Sequence, residues 1–250
     1  MPQGLSADPQ KVRKILDFPE AQYKKQLQAC IRIINHLSKF LPHLASVAAC
    51  LTDVQGTTRT WRWTDIHKEA LNQFKDLINS APVIKPWNST SEEPQYLICD
   101  ASDIGLGSWL GQGTLDRIQP ARFHSCKFNA AQLNYANLQK GILAMIVSLR
   151  FFAAQVRGTK FTILTDHKPL VTFMYRTQRT QKLRRWQVFL GSFHQTIIHT
   201  AGKENYIMDA LSRNYKRPSS IHATNCYTSS FNHVTKAPRW DMMIGVALLL

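Results

Sequence analysis

Apolar and polar positions follow two periods along this chain, and the period changes near residue 95. Residues 20–50 carry apolar side chains at helical spacing, with Lys, Arg and His interleaved. A second helical stretch is predicted from Asp65 to Asn79. There Ile66, Ala70, Phe74 and Leu77 share one face, and the Thr64 hydroxyl can accept a free backbone N–H at the start. Ala81-Pro82 ends it, and Pro86 to Pro94, holding Asn, Ser and Thr, reads as a linker. Three strands with turn signals follow, over 95–100, 105–111 and 117–125. One long helix is expected over 129–156, with Leu138, Ile142, Met145, Leu149 and Phe152 facing inward. A strand at 160–165, helical segments over 168–190, a strand at 194–200 and a short helix around Asp209 complete the pattern. Strands interleaved with helices predict an α/β fold behind a smaller helical segment. Residues 216–250 show no strong period, and the chain has no internal repeat.

The 250 residues suit one large domain or two smaller ones, and a hydrophobic content of 44% is enough for a packed core. Lys and Arg outnumber Asp and Glu by 31 to 16, giving a formal net charge of +15. That excess suits a polyanionic partner, bound with release of phosphate counterions. The five cysteines, at 30, 50, 99, 126 and 226, form no CxxC pair. A disulfide framework and a structural zinc site are therefore not expected, and a reducing intracellular compartment, cytoplasm or nucleus, fits best. The first twenty residues have no apolar core of the signal-peptide kind. The apolar C-terminal run Met242–Leu250 falls far short of the roughly 20 residues that span a bilayer, so no membrane association is expected.

Against this basic background three acids stand out. Asp100 ends the apolar run Tyr96-Leu97-Ile98-Cys99, Asp166 ends Phe161-Thr162-Ile163-Leu164-Thr165, and Asp209 lies in Asn205–Arg213. An acid placed where a strand leaves the core points at the sheet edge, where ligands of open α/β sheets bind. Converging carboxylates hold hard divalent cations through oxygen. The alternative on spacing alone is three unrelated surface or capping aspartates.

The surrounding residues decide between these readings. Cys99-Asp100-Ala101-Ser102-Asp103-Ile104-Gly105-Leu106-Gly107, Phe123-His124-Ser125, Asn134-Tyr135-Ala136, Ile142-Leu143-Ala144, Thr165-Asp166-His167-Lys168-Pro169-Leu170, Arg185-Trp186-Gln187, Ala201-Gly202-Lys203-Glu204-Asn205 and Asp209-Ala210-Leu211-Ser212-Arg213 occur in one order. They resemble the ribonuclease H domain of Ty3/Gypsy-type retroelement reverse transcriptases. Upstream, Gly4–Pro9 resembles the end of the palm, Asn35–Pro42 the thumb, and Trp63-Thr64 with Ser80–Val83 the connection. The resemblance implies three regions: a thumb/connection-like remnant at 1–91, a ribonuclease-H-like domain at 92–215, and an unassigned tail at 216–250. It implies a mixed five-stranded sheet with flanking helices. It also implies Mg²⁺-dependent hydrolysis of RNA in RNA–DNA hybrids, with Mn²⁺ as a possible substitute. Asp100, Asp166 and Asp209 map onto three of the four metal-binding catalytic acids. No Tyr-x-Asp-Asp tetrapeptide is present, so the polymerase half is a missing partner.

The fourth acid is not there. The family places a Glu on the long helix immediately before Leu-Leu-Ala, and here the stretch reads Gln139-Lys140-Gly141-Ile142-Leu143-Ala144. Gly141 holds the position, and no Asp or Glu occurs from Arg117 through Thr165. Two ions bridged by carboxylates would activate the water, neutralise the phosphate and stabilise the leaving oxygen. Losing one acid is therefore expected to impair turnover. The alternative is an inactive nucleic-acid-binding remnant.

Grip on nucleic acid would come from Arg176, Arg179, Lys182, Arg184 and Arg185, clustered between Tyr175 and Trp186, and from Lys203. Such a cluster contacts phosphates without reading sequence. The other reading of the five clustered cations is a solvated helix face. Trp186 and Phe189 are expected in the core, and His167 and His199 near the carboxylates in structural roles.

Overall fold

The computed structural model describes residues 4–42, 44–54 and 61–200. Asp209, Lys203 and the 216–250 tail lie outside the described residues.

Four helices precede the sheet: α1 (Pro9–Leu16), α2 (Lys24–Leu37, continued by a 3-10 turn at Ser38–Phe40), α3 (Leu44–Val54) and α4 (Asp65–Asn79). Helix α4 matches its expected limits. Thr64 and His67 close a reciprocal cap at its first turn, and Ala70, Phe74 and Leu77 are buried. Ile66 instead stays 42% exposed.

The sheet has the order β3-β2-β1-β4-β5. Strands β1 (Gln95–Ala101), β2 (Gly105–Gln112) and β3 (Gln119–Lys127) form an antiparallel meander. Strands β4 (Lys160–Thr165) and β5 (His194–His199) extend it in parallel from β1. This is the expected mixed five-stranded α/β architecture. Strand β3 starts two residues later than the sequence pattern suggests. The Arg117 N–H closes a turn onto the Thr114 carbonyl, and the register slips at Leu110/Gly111. Pro120 is accommodated beside that slip, on an edge strand of the sheet.

The expected single helix over 129–156 is three: α5 (Ala130–Leu133), α6 (Asn137–Phe151) and α7 (Ala153–Val156). Asn129 and Gln132 cap α5 reciprocally, and the chain turns at Asn134 before α6 begins. Hydrophobic period persists across the breaks: Ile142, Met145, Leu149 and Phe152 are fully buried, and Leu138 packs at the margin. They meet Leu97, Cys99 and Leu110 of the sheet, with Leu170, Phe173 and Leu190 from α8 (Pro169–Phe173) and α9 (Gln181–Gly191). Trp186 and Phe189 pack partly buried against the same core. Ile98, Trp109 and Phe123, on the alternate positions of the sheet, are buried as well. The Ala45 N–H donates to Ser125 Oγ (2.9 Å), tying α3 to β3, and the Lys85 N–H donates to the Pro120 carbonyl.

Candidate active site

Strands β1 and β4 run parallel in the register Tyr96↔Thr162, Leu97↔Ile163, Ile98↔Leu164. Two residues beyond that last pair each chain reaches an aspartate, Asp100 and Asp166. Adjacent parallel strands leave the core on the same side, so the register itself brings the two carboxylates to one edge. The buried Cys99 thiol reports their convergence: it is pushed up, first by burial and then by the charges of Asp100 and Asp166.

Both aspartates line one cavity of about 280 Å³, with Cys99, Asn137, Thr165, His167 and Leu170 also in its walls. Asp100 is half-buried and its Oδ1 accepts from the Ala101 N–H (2.7 Å). Asp166 is exposed. The Asp166 carbonyl is 3.1 Å from His199 Nε2, which joins the end of β5 to the site. His167 Nε2 is buried without a hydrogen-bond partner. The β1–β2 turn forms the lip. Ser102 closes it through the Gly105 carbonyl and N–H, and a Cβ at Gly105 would come 2.6 Å from the Cys126 carbonyl oxygen, so the strands require glycine there.

Gly141 lines the same cavity, from the amino-terminal half of α6. The structure therefore brings three of the four expected positions together: Asp100, Asp166 and Gly141. A Cβ at Gly141 would stand 3.0 Å from Leu170 Cδ1, so Leu170 occupies space that a longer side chain needs. Next to it is Lys140, which the sequence pattern alone does not single out. Its side chain is nearly buried, and Nζ reaches the Asp103 carbonyl at 3.3 Å and Oδ1 at 3.4 Å. In the sequence Lys140 is a lone cation before the apolar run 141–147.

The donor set suits one hard divalent ion, since two carboxylates plus water are enough to hold one. It does not suit a bridged pair held by the described residues, because the α6 wall offers an ammonium and a glycine instead of a carboxylate. Among the described residues no cluster of three or more His, Cys, Asp or Glu is assembled.

The basic residues lie apart from this cavity. Arg176 and Arg179 are exposed on the 174–180 loop, and Arg184 and Arg185 on α9. That loop interrupts the helical stretch expected over 168–190. Gln187 Nε2 donates to the Phe173, Met174 and Arg176 carbonyls, and Gln178 Nε2 to Phe173 and Arg176. Arg184 Nε donates to the Gln178 carbonyl (2.9 Å). Lys182 stands over the Tyr135 ring at 3.2 Å and the Trp186 ring at 4.6 Å. Its charge is thus partly spent in fixing α9 to the turn before α6. Among the described residues no helix is long and apolar enough to cross a membrane.

Comparison with known proteins agrees with this architecture. Residues 90–193 match the model of the RNase H-like domain found in reverse transcriptase. The chain is similar to the transposon Tf2-3 and Tf2-4 polyproteins of Schizosaccharomyces pombe (strain 972 / ATCC 24843). Each is 31% identical over 215 residues, which is 84% of this chain. The chain spans 16% of the length of these relatives. Among solved structures it resembles a foamy viral protease-reverse transcriptase bound to double-stranded DNA, with a TM-score of 0.67, 17% identity, and coverage of 79% of this chain and 35% of that one. A foamy viral protease-reverse transcriptase bound to an RNA/DNA hybrid gives 0.65 and 17%, over 80% of this chain and 28% of that one. At this identity the likeness is one of fold.

Proposed function

This chain carries an RNase H-like domain of the reverse-transcriptase type and is homologous to Ty3/Gypsy-type transposon polyproteins, and on that premise we propose that it is the C-terminal part of a retrotransposon reverse transcriptase whose RNA-cleaving site is impaired at Gly141. In this reading residues 1–91 are the thumb/connection-like remnant, 92–215 the ribonuclease-H-like domain and 216–250 a tail without assigned role. The inherited reaction is hydrolysis of the RNA strand of an RNA–DNA hybrid. Asp100 and Asp166 hold a Mg²⁺ or Mn²⁺ ion, and Asp209 is the third acid. The ion, when bound, offsets phosphate charge and activates the attacking water. The protein's own part is to fix the two carboxylates at the strand ends and to hold the duplex against Arg176, Arg179, Arg184 and Arg185. Lys182 and Lys203 are the further cations that this reading gives to nucleic-acid contact. The hybrid and duplex complexes of the foamy viral relatives support this class of partner. The working compartment is intracellular.

The observation that carries the proposal is the single cavity shared by Asp100, Asp166 and Gly141. It supports a site whose position survives while one of its ligands has gone. A second reading, binding without turnover, is favoured by one further feature: the α6 wall presents an ammonium to the cavity in addition to lacking an acid. A labelled RNA–DNA hybrid tests both. Steeply salt-dependent binding with slow, Mg²⁺-dependent loss of the RNA strand is the expected result. Binding with no cleavage at any Mg²⁺ or Mn²⁺ concentration selects the second reading. No binding to hybrid or duplex refutes both.

A further inference from the structure

Lys140 carries a consequence of its own. A lysine with a 9% exposed side chain is unusual, since burying an ammonium is costly unless charge or hydrogen bonds compensate it. The compensation given by Asp103 is thin: a carbonyl at 3.3 Å and a carboxylate oxygen at 3.4 Å, on a side chain that is 94% exposed. These take two of the three ammonium donors, at the long end of hydrogen-bond range. Lys140 also sits near the amino-terminal end of α6, where the helix dipole disfavours a cation. A buried, weakly paired cation at a positive helix end needs another source of negative charge. The cavity that Lys140 lines has two, Asp100 and Asp166, and Gly141 contributes nothing to oppose the lysine from its own wall.

We propose that Lys140 is a built-in counter-ion of the Asp100–Asp166 pair: it brings positive charge to the cavity they share, and it limits the site to a single, weakly held divalent ion. The role is one of positioning and charge. Through Asp103, Lys140 also pins the β1–β2 turn against α6, so the lip of the cavity and the charge inside it are set by one side chain. An acid at position 141 would have balanced the lysine. Without one, the lysine's charge is left to Asp103 and to the Asp100–Asp166 pair, where it competes with a metal.

The inference rests on the reading that Asp100 and Asp166 bind a divalent ion. Mn²⁺ titration of the full chain by calorimetry, with circular dichroism as a check on folding, separates the two. Lys140→Met is expected to bind Mn²⁺ about tenfold more tightly than the unmodified chain, the change that ~1.4 kcal/mol of removed repulsion gives. Lys140→Arg is expected to bind like the unmodified chain. Lys140→Gln keeps a donor for the Asp103 carbonyl and carries the same expectation as the Met variant should the latter unfold. Unchanged or weaker affinity in folded Met or Gln variants, with Asp100→Asn still reducing it, overturns the counter-ion role and leaves the metal site standing. Loss of the fold in both neutral variants overturns it as well, because a structural role would then suffice. If no variant binds Mn²⁺, both the inference and the reading beneath it fall.

Discussion

The two walls of the carboxylate cavity bring different things to it. The strand wall, formed by the ends of β1 and β4, brings two acids, with Asp100 and Asp166 at corresponding positions. The helix wall, formed by α6, packs as firmly and brings no carboxylate to the cavity. Ile142, Met145, Leu149 and Phe152 are as deeply buried as any core residue, while Gly141, one residue before them, carries no acid. Packing is distributed over many side chains, so a helix can stay docked while one of its positions changes. A metal site has no such redundancy, since each ligand supplies charge that no neighbour can replace. On the proposed reading, a fold can outlast the reaction it was built for, through a change at a single residue facing the cavity.

The largest expected effect tests the preserved side of α6. Phe152→Ala should lower unfolding free energy by about 3–5 kcal/mol in denaturant titrations, as for other large-to-small core changes. A loss below 1 kcal/mol would mean that the helix is less firmly docked than its burial indicates.

The same end of α6 carries a pH dependence. His124 stacks on Phe151 at 3.9 Å, and burial, then the neighbouring Arg122, pushes it down to about 4. The folded state thus refuses a proton that the unfolded chain takes up near 6.5. Its contribution is present above pH 6.5 and is lost as pH falls toward 4, by roughly 2–3 kcal/mol in all. Thermal melts between pH 7 and 4 should show this slope, and His124→Gln should flatten it.

On the strand wall, Asp100→Asn should weaken Mn²⁺ binding by about tenfold or more, read by calorimetry, since one of two carboxylates is removed. Unchanged affinity would dissolve the contrast between the walls, because neither would then hold metal. Smaller still is the effect expected on α9. Arg184→Ala with Arg185→Ala should reduce the slope of log affinity against log salt by about 1–2 for hybrid and duplex alike. An unaltered slope would make those arginines a solvated face. In part they already serve the loop, since Arg184 donates to the Gln178 and Arg179 carbonyls.

The strand wall was legible in the sequence because its cause is local: an apolar run that ends in an acid, twice. Helix α4 was legible for the same reason, through Thr64 and the face of Ala70, Phe74 and Leu77. The breaks around α6 were not, because each is a single turn that leaves the hydrophobic period in phase on both sides. The ordered 174–180 loop depends on Gln187, more than ten residues from the Phe173 and Met174 carbonyls it binds. Lys182 stands over Tyr135, a partner 47 positions away that no spacing rule reveals. The burial of Lys140 is not legible in the sequence because it depends on the β1–β2 turn, which contacts it through Asp103. The absence at Gly141 was visible only against the family pattern, and its neighbour Leu170 only in three dimensions.

The central claim is that the deficit is local to the helix wall, and restoring the missing acid tests it most directly. Gly141→Glu requires Leu170 to yield by a few tenths of an ångström at Cδ1, and it ends a helix-interior glycine that costs about 1 kcal/mol. Gly141→Ala meets the same contact, so its stability should stay within about 1 kcal/mol of the unmodified chain, with no gain in activity. In a single-turnover assay on a labelled RNA–DNA hybrid with Mg²⁺, Gly141→Glu should cleave the RNA strand two to four decades faster than the unmodified chain, roughly 3–5 kcal/mol of transition-state stabilisation. Equal rates for the unmodified, Ala and Glu forms, with all three folded and bound to hybrid, would contradict it.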